Sequence, residues 1–189
     1  AWEGLGYYNR ARNLHRAAKM VAGEMGGVFP KCAESLLKLP GVGPYAAAAI
    51  ASIAFDEPVP AMDGNLNRVI SRLFLVEDEI SSPQTRNRLL DLGRALMPQE
   101  GAGDMNQALM DLGAGVCTPV QPSCSECPVS AFCVAFHQDR QAELGISPPR
   151  PPMTEQTDVA IVLTDDTGRI ALVLSPIHIS EPTRPYSPS

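Results

Sequence analysis

Along residues 1–140 the apolar positions recur at helical spacing. Leu66, Val69, Ile70, Leu73 and Phe74 follow one helical face, and Leu36, Leu37 and Leu39 begin another. Tyr45 to Ala54 reads YAAAAIASIA, a run of good helix formers entered through Pro44, which suits a first helical turn. The pattern predicts helices over Arg10–Glu24, Glu34–Leu39, Pro44–Ala54, Asn65–Val76, Thr85–Leu96 and Met105–Gly113. Residues 1–140 are therefore expected to form one mainly α domain.

The pattern then changes. Ser147 to Pro152, SPPRPP, is a stiff linker within a connecting segment 141–157. Asp158–Leu163 and Arg169–Leu174 are β-rich apolar runs around Asp165-Asp166-Thr167-Gly168, the pattern of a β-hairpin over 158–174. Two strands are marginally stable alone, so this reads as the opening of a second domain. Residues 175–189 hold four prolines and no periodicity, look foreign, and are set aside with His178.

Charge refines this picture only locally. The 189 residues carry a net charge of −6, a mild argument against a nucleic-acid partner. Residues 1–40, however, hold six basic side chains (Arg10, Arg12, Arg16, Lys19, Lys31, Lys38) against three acids. A local footprint matters more than the total. Tyr7 and Tyr8 precede Arg10, Arg12 and Arg16, a mix of stacking faces and phosphate-pairing groups that suits DNA. An amphipathic helix with an exposed basic face accounts for the same residues. Glu77-Asp78-Glu79 reads as solvated surface. No long apolar run suggests a membrane.

Pro40-Gly41-Val42-Gly43 is turn punctuation before the helix at Pro44. The glycines permit positive φ and close backbone approach, and the N–H groups of a helix N-terminus form a ready anion site. Helix, GVG hairpin, helix is the pattern of a DNA-binding element; a tightly packed αα-turn fits it equally well. Asp63 lies before the helix starting near Asn65, where a carboxylate is a favoured N-cap. Its place after the hairpin adds a chemical reading, a carboxylate acting on whatever the hairpin holds.

Cys117, Cys124, Cys127 and Cys133 are spaced C-x6-C-x2-C-x5-C, with Pro119, Pro122 and Pro128 keeping the backbone irregular. An intracellular protein would use such thiolates for metal rather than disulfides. Ligand chemistry leaves tetrahedral zinc and a [4Fe–4S] cluster both open. Cys32 lies apart, in a stretch expected to be helical, and reads as a buried apolar filler. His15 and His137 read as surface residues.

LPGVGPY followed by VPAMDGNLNRV, together with WEGLGYYNRARNLHRAA, strongly resembles the helix-hairpin-helix DNA glycosylases of the endonuclease III superfamily, and within them the A/G-specific adenine glycosylases of the MutY type. The resemblance runs from Ala1 to about Arg140. It implies base-excision repair: hydrolysis of the N-glycosidic bond of adenine mispaired with 8-oxoguanine or guanine in double-stranded DNA. It makes Asp63 the catalytic aspartate, with Tyr45 and Asn65 assisting. Gly41, Val42 and Gly43 become the phosphate-binding hairpin, Tyr7 a wedge beside the lesion, and Arg10 a DNA contact. The four cysteines become ligands of a [4Fe–4S] cluster, with the loop at 117–133. Residues 158–174 become the start of a Nudix-like domain. Lyases of the superfamily carry a lysine where this chain has Tyr45, and no lysine follows Lys38, which points to a monofunctional enzyme. Three implications complete the expectation: a monomer, an intracellular location on DNA, and a general-acid glutamate upstream of Ala1, so that these residues alone are inactive. The loop Thr118 to Ser123 departs from the family in lacking Lys and Arg, which weakens its role in DNA binding. The alternatives are a glycosylase/lyase of the endonuclease III type and a non-catalytic DNA-binding module with a structural metal.

Overall fold

Seven α-helices order the described part of the chain: α1 (Tyr8–Gly23), α2 (Ala33–Leu36), α3 (Pro44–Phe55), α4 (Gly64–Leu73), α5 (Pro83–Leu96), α6 (Ala102–Asp111) and α7 (Val134–His137). The computed structural model describes residues 2, 6–145 and 166–167, and among these there is no strand. The chain divides into two units, Ala1–Pro149 and Arg150–Ser189, and every described helix belongs to the first. The predicted hairpin at 158–174 lies outside the described residues except for Asp166 and Thr167, which form an exposed turn. The tail at 175–189 lies wholly outside them.

The alanine-rich α3 is central because small side chains let neighbours approach. Ala47, Ala48, Ala51 and Ser52 are its buried residues. α6 crosses it through Gly103, where a Cβ would lie 2.8 Å from Ser52 O. Leu36 and Leu39 pack on Ala47 and Ala51, with Ala17, Met20 and Val21 of α1 and Val42 of the hairpin against them. α4 joins two further clusters. Leu66 and Val69 meet Met97 and Leu109, while Ile70 meets Val76 and Leu89 of α5. Each fully buried aliphatic side chain contributes about 1.5–3 kcal/mol.

Helix positions agree with the periodicity, but several ends differ. α2 stops at Leu36 rather than Leu39, because the chain must already turn: Val42 N–H bonds Leu39 O at 3.1 Å. α4 stops at Leu73 rather than Val76. Leu75 adopts φ 51° and Val76 N–H closes on Ser71 O at 2.8 Å, a Schellman-type end made without glycine. α1 and α6 begin earlier than the apolar pattern suggested, at Tyr8 and Ala102. The reading of Cys32 as a buried filler within a helix is overturned. It is exposed and occupies the N-cap position of α2, its Sγ donating to Ser35 Oγ at 3.1 Å.

Candidate functional site

The hairpin is a Pro-Gly turn with its glycines in different roles. Pro40 and Gly41 occupy the centre of the turn closed by Val42 N–H to Leu39 O, and Gly41 takes φ +83°, as a type II turn requires. A Cβ on Gly41 would lie 2.6 Å from Asn13 Cβ, so this glycine faces α1. Gly43 instead has open space on its Cβ side and is exposed. It is the N-cap of α3, whose N-terminus no side chain caps. Helix N–H groups and the positive end of the helix dipole are therefore presented at an open glycine, suited to an anion.

Asp63 sits where its two readings meet. It is the N-cap of α4, half-buried, and its Oδ1 accepts Leu66 N–H at 2.7 Å. That bond commits one carboxylate oxygen and orients the group, leaving Oδ2 for a ligand. Asn65 follows on the first turn. Its Cβ is pressed against Gly113, where a Cβ would be only 2.7 Å away. Tyr45, on the first turn of α3, is 45% exposed and brings its hydroxyl to 3.9 Å from Met110 Sδ. Met110 and Met62, the neighbour of Asp63, pack against the same Leu66–Val69 cluster. Tyr7 and Arg10 are exposed at the start of α1. Tyr7 holds φ 47° after Gly6 at φ 66°, a left-handed conformation that costs a residue with a Cβ roughly 1–2 kcal/mol.

Two arginines that the sequence reading did not single out tie α4 to the cysteine loop. Arg68 Nε donates to Cys117 O at 2.7 Å, and its Nη2 donates to Gly113 O at 2.6 Å and Asn65 Oδ1 at 2.9 Å. Burial pulls its pKa down, a shift opposed by the Cys117 thiolate. Arg72, 1% exposed, donates to Thr118 O (2.7 Å), Pro119 O (3.0 Å), Leu144 O (3.2 Å) and Cys117 Sγ (3.3 Å). A usable signal existed: two arginines four apart on a helix otherwise marked by its apolar stripe. Asn106 was also missed. It is fully buried on α6 and bonded to the segment before Asp63.

The four cysteines lie where helical geometry is lost. α6 runs into a π-helical turn, Leu112–Val116, and Cys117 N–H bonds Leu112 O at 2.7 Å. Two single 3₁₀ turns, Cys124–Glu126 and Ser130–Phe132, bring the others round. All four line one cavity with Arg72, Phe136 and Gln141. Among the described residues no three His, Cys, Asp or Glu side chains converge closely enough for a single metal ion. Burial raises the pKa of Cys124 and Cys133, and the neighbouring cysteines add to it, so a cationic centre would favour the ionised forms of these two. The Arg72 N–H toward Cys117 Sγ suits a thiolate ligand. Gln141 Oε1 is buried without a partner, and Gln141 lines the same cavity.

A Pro-Gly hairpin between helices, followed by a carboxylate that caps the next helix, defines a helix-hairpin-helix fold. Residues 1–95 match the profile of the HhH-GPD superfamily base excision DNA repair proteins, and the chain belongs to that family. It is 44% identical over 155 residues to adenine DNA glycosylase of Mus musculus, covering 82% of this chain and 30% of that protein. It is 50% identical over 135 residues to adenine DNA glycosylase of Arabidopsis thaliana, covering 71% of this chain and 21% of that one. The chain therefore spans less than a third of the length of these relatives. Among solved structures it is similar to a trapped endonuclease III–DNA covalent intermediate, with TM-score 0.57 and 27% identity over 72% of this chain and 62% of that one.

Proposed function

We propose that the protein excises adenine mispaired with 8-oxoguanine or guanine from double-stranded DNA, as a monofunctional glycosylase. The observation that carries this reading is the Asp63 carboxylate, fixed by Leu66 N–H with one oxygen left for a ligand, in a chain similar to adenine DNA glycosylases. Hydrolysis of an N-glycosidic bond requires protonation of the leaving base and stabilisation of an oxocarbenium-like sugar. Asp63 takes the second task, its charge facing the developing positive sugar once the nucleotide is flipped from the duplex. Tyr45 and Asn65 border the base pocket. Gly41 and Gly43 present hairpin N–H groups to a phosphate, Val42 between them closes the turn onto Leu39 O, and Tyr7 and Arg10 contact DNA beside the lesion.

In this reading Cys117, Cys124, Cys127 and Cys133 hold a [4Fe–4S] cluster. The cluster would supply a compact cross-link for a loop with little core of its own. Arg68 and Arg72 hold that loop to α4 by its carbonyls. Residues 1–140 form the glycosylase domain. The protein acts as a monomer inside the cell.

A single-turnover assay of the full-length protein on duplex DNA with A opposite 8-oxoguanine tests the reading. Adenine release without strand cleavage is expected. The likeness to a covalent endonuclease III intermediate favours a lyase as the second reading. Tyr45 in place of a lysine opposes it, and efficient trapping of a DNA adduct by borohydride would decide for the lyase.

A further inference from the structure

The seven residues from Glu57 to Asp63 run between α3 and α4 with no helix or strand of their own. Pro58 and Pro60 have no N–H to give. The backbone bonds within the segment are tight local ones, Val59 N–H to Glu57 O at 2.7 Å and Met62 N–H to Pro60 O at 3.1 Å. Such a segment cannot place a carboxylate by itself.

Asn106 supplies the missing constraint. Its Oδ1 accepts Ala61 N–H at 2.9 Å, and its Nδ2 donates to Val59 O and to Ser52 Oγ, each at 2.9 Å. The side chain is fully buried, as is Ala61. On the other face the segment rests on α5 at Gly93, where a Cβ would lie 3.0 Å from Met62 Sδ and 3.2 Å from Pro60 Cβ. The segment is thus gripped at residues 59 and 61 by one amide and seated by one glycine. Asp63 follows two residues later and is then fixed by Leu66 N–H. We infer that Asn106 is a positioning residue, which sets the register of Val59–Ala61 on α6 and so decides where the Asp63 carboxylate stands. The inference rests on the proposal that Asp63 is the catalytic group.

The Ser52 bond provides the control. It links Asn106 to α3 and does not touch the segment. Ser52→Ala removes that link and leaves both bonds to Val59 and Ala61. Asn106→Ala removes all three. In the full-length protein, Asn106→Ala should lower the single-turnover rate of adenine release about a hundredfold, the scale of an ångström misplacement, while DNA affinity stays within about twofold. The Ala61 and Leu66 amides should exchange faster in Asn106→Ala and remain protected in Ser52→Ala. Asn106→Asp keeps the shape and the acceptor for Ala61 but sets a carboxylate oxygen against Val59 O. Burial favours its protonated, donating form, so its rate relative to wild type should rise as pH falls. This variant decides the matter if Asn106→Ala does not fold. Equal losses in Ser52→Ala and Asn106→Ala would make Asn106 mere helix glue and overturn the inference. So would unchanged amide protection in Asn106→Ala. If wild type releases no adenine, the proposed function fails, and amide exchange alone then decides the role of Asn106.

Discussion

Asn65 and Cys117 share one guanidinium: that of Arg68, which reaches Asn65 Oδ1 at 2.9 Å and Cys117 O at 2.7 Å. The first turn after the candidate carboxylate and the first candidate cluster ligand are thus joined through one buried side chain. Arg68→Gln is too short to span both. Each lost bond from a charged donor is worth about 1.5–3 kcal/mol, and a loss of roughly 3 kcal/mol in total is expected. Denaturant unfolding should show it, and iron content and turnover should fall together.

Asp63→Asn separates the cap from the chemistry. Asn caps a helix as well as Asp and keeps an oxygen for Leu66 N–H, so stability should change by no more than about 0.5 kcal/mol. The charge facing the sugar is gone, and single-turnover release should fall about a hundredfold or more with DNA affinity retained. Turnover that survives the change would leave Asp63 a cap and nothing else.

Gly41 and Gly43 should fail differently. Gly41→Ala imposes a left-handed backbone on alanine and drives its Cβ toward Asn13, and a cost of about 1–3 kcal/mol is expected in thermal or chemical unfolding. Gly43 has φ −89° and open space, so Gly43→Ala should fold normally. It should weaken binding to undamaged duplex, measured by anisotropy, because the methyl group stands where a phosphate would approach.

Asp56 predicts a pH dependence. Its carboxylate accepts Gly101 N–H first, at 2.9 Å, then Gly103 N–H at 3.4 Å, and these bonds hold its pKa below the ordinary aspartate range. A carboxyl depressed in the folded state stabilises above its unfolded pKa, near pH 4, and the contribution is lost as pH falls through the lower folded value. Asp56→Asn should therefore melt below wild type at neutral pH, with the gap closing in stronger acid.

The elements were legible where their causes are local. Pro44 starts α3 as expected, whereas α5 begins at Pro83, ahead of the expected Thr85, with Ser82 as its cap accepting Thr85 N–H at 3.2 Å. The four cysteines and the Pro-Gly turn were visible as spacing alone. Helix ends were less legible. Leu75 enters the left-handed region without a glycine to announce it, and Cys32 looked like filler although it stands exposed before α2.

The sequence by itself determined the helical plan, the Pro-Gly hairpin, the capping carboxylate and the thiol set. Each depends on residues a few positions apart, within reach of one turn or one helical face. Only the tertiary structure decided what holds the carboxylate in place. Arg68 reaches Cys117 across 49 residues, Arg72 reaches Thr118 across 46, and Asn106 reaches Ala61 across 45. A buried polar group must find partners wherever packing brings them, because leaving it unpaired costs more than most single contacts return. Such partners follow from which helices touch, and no local spacing encodes that.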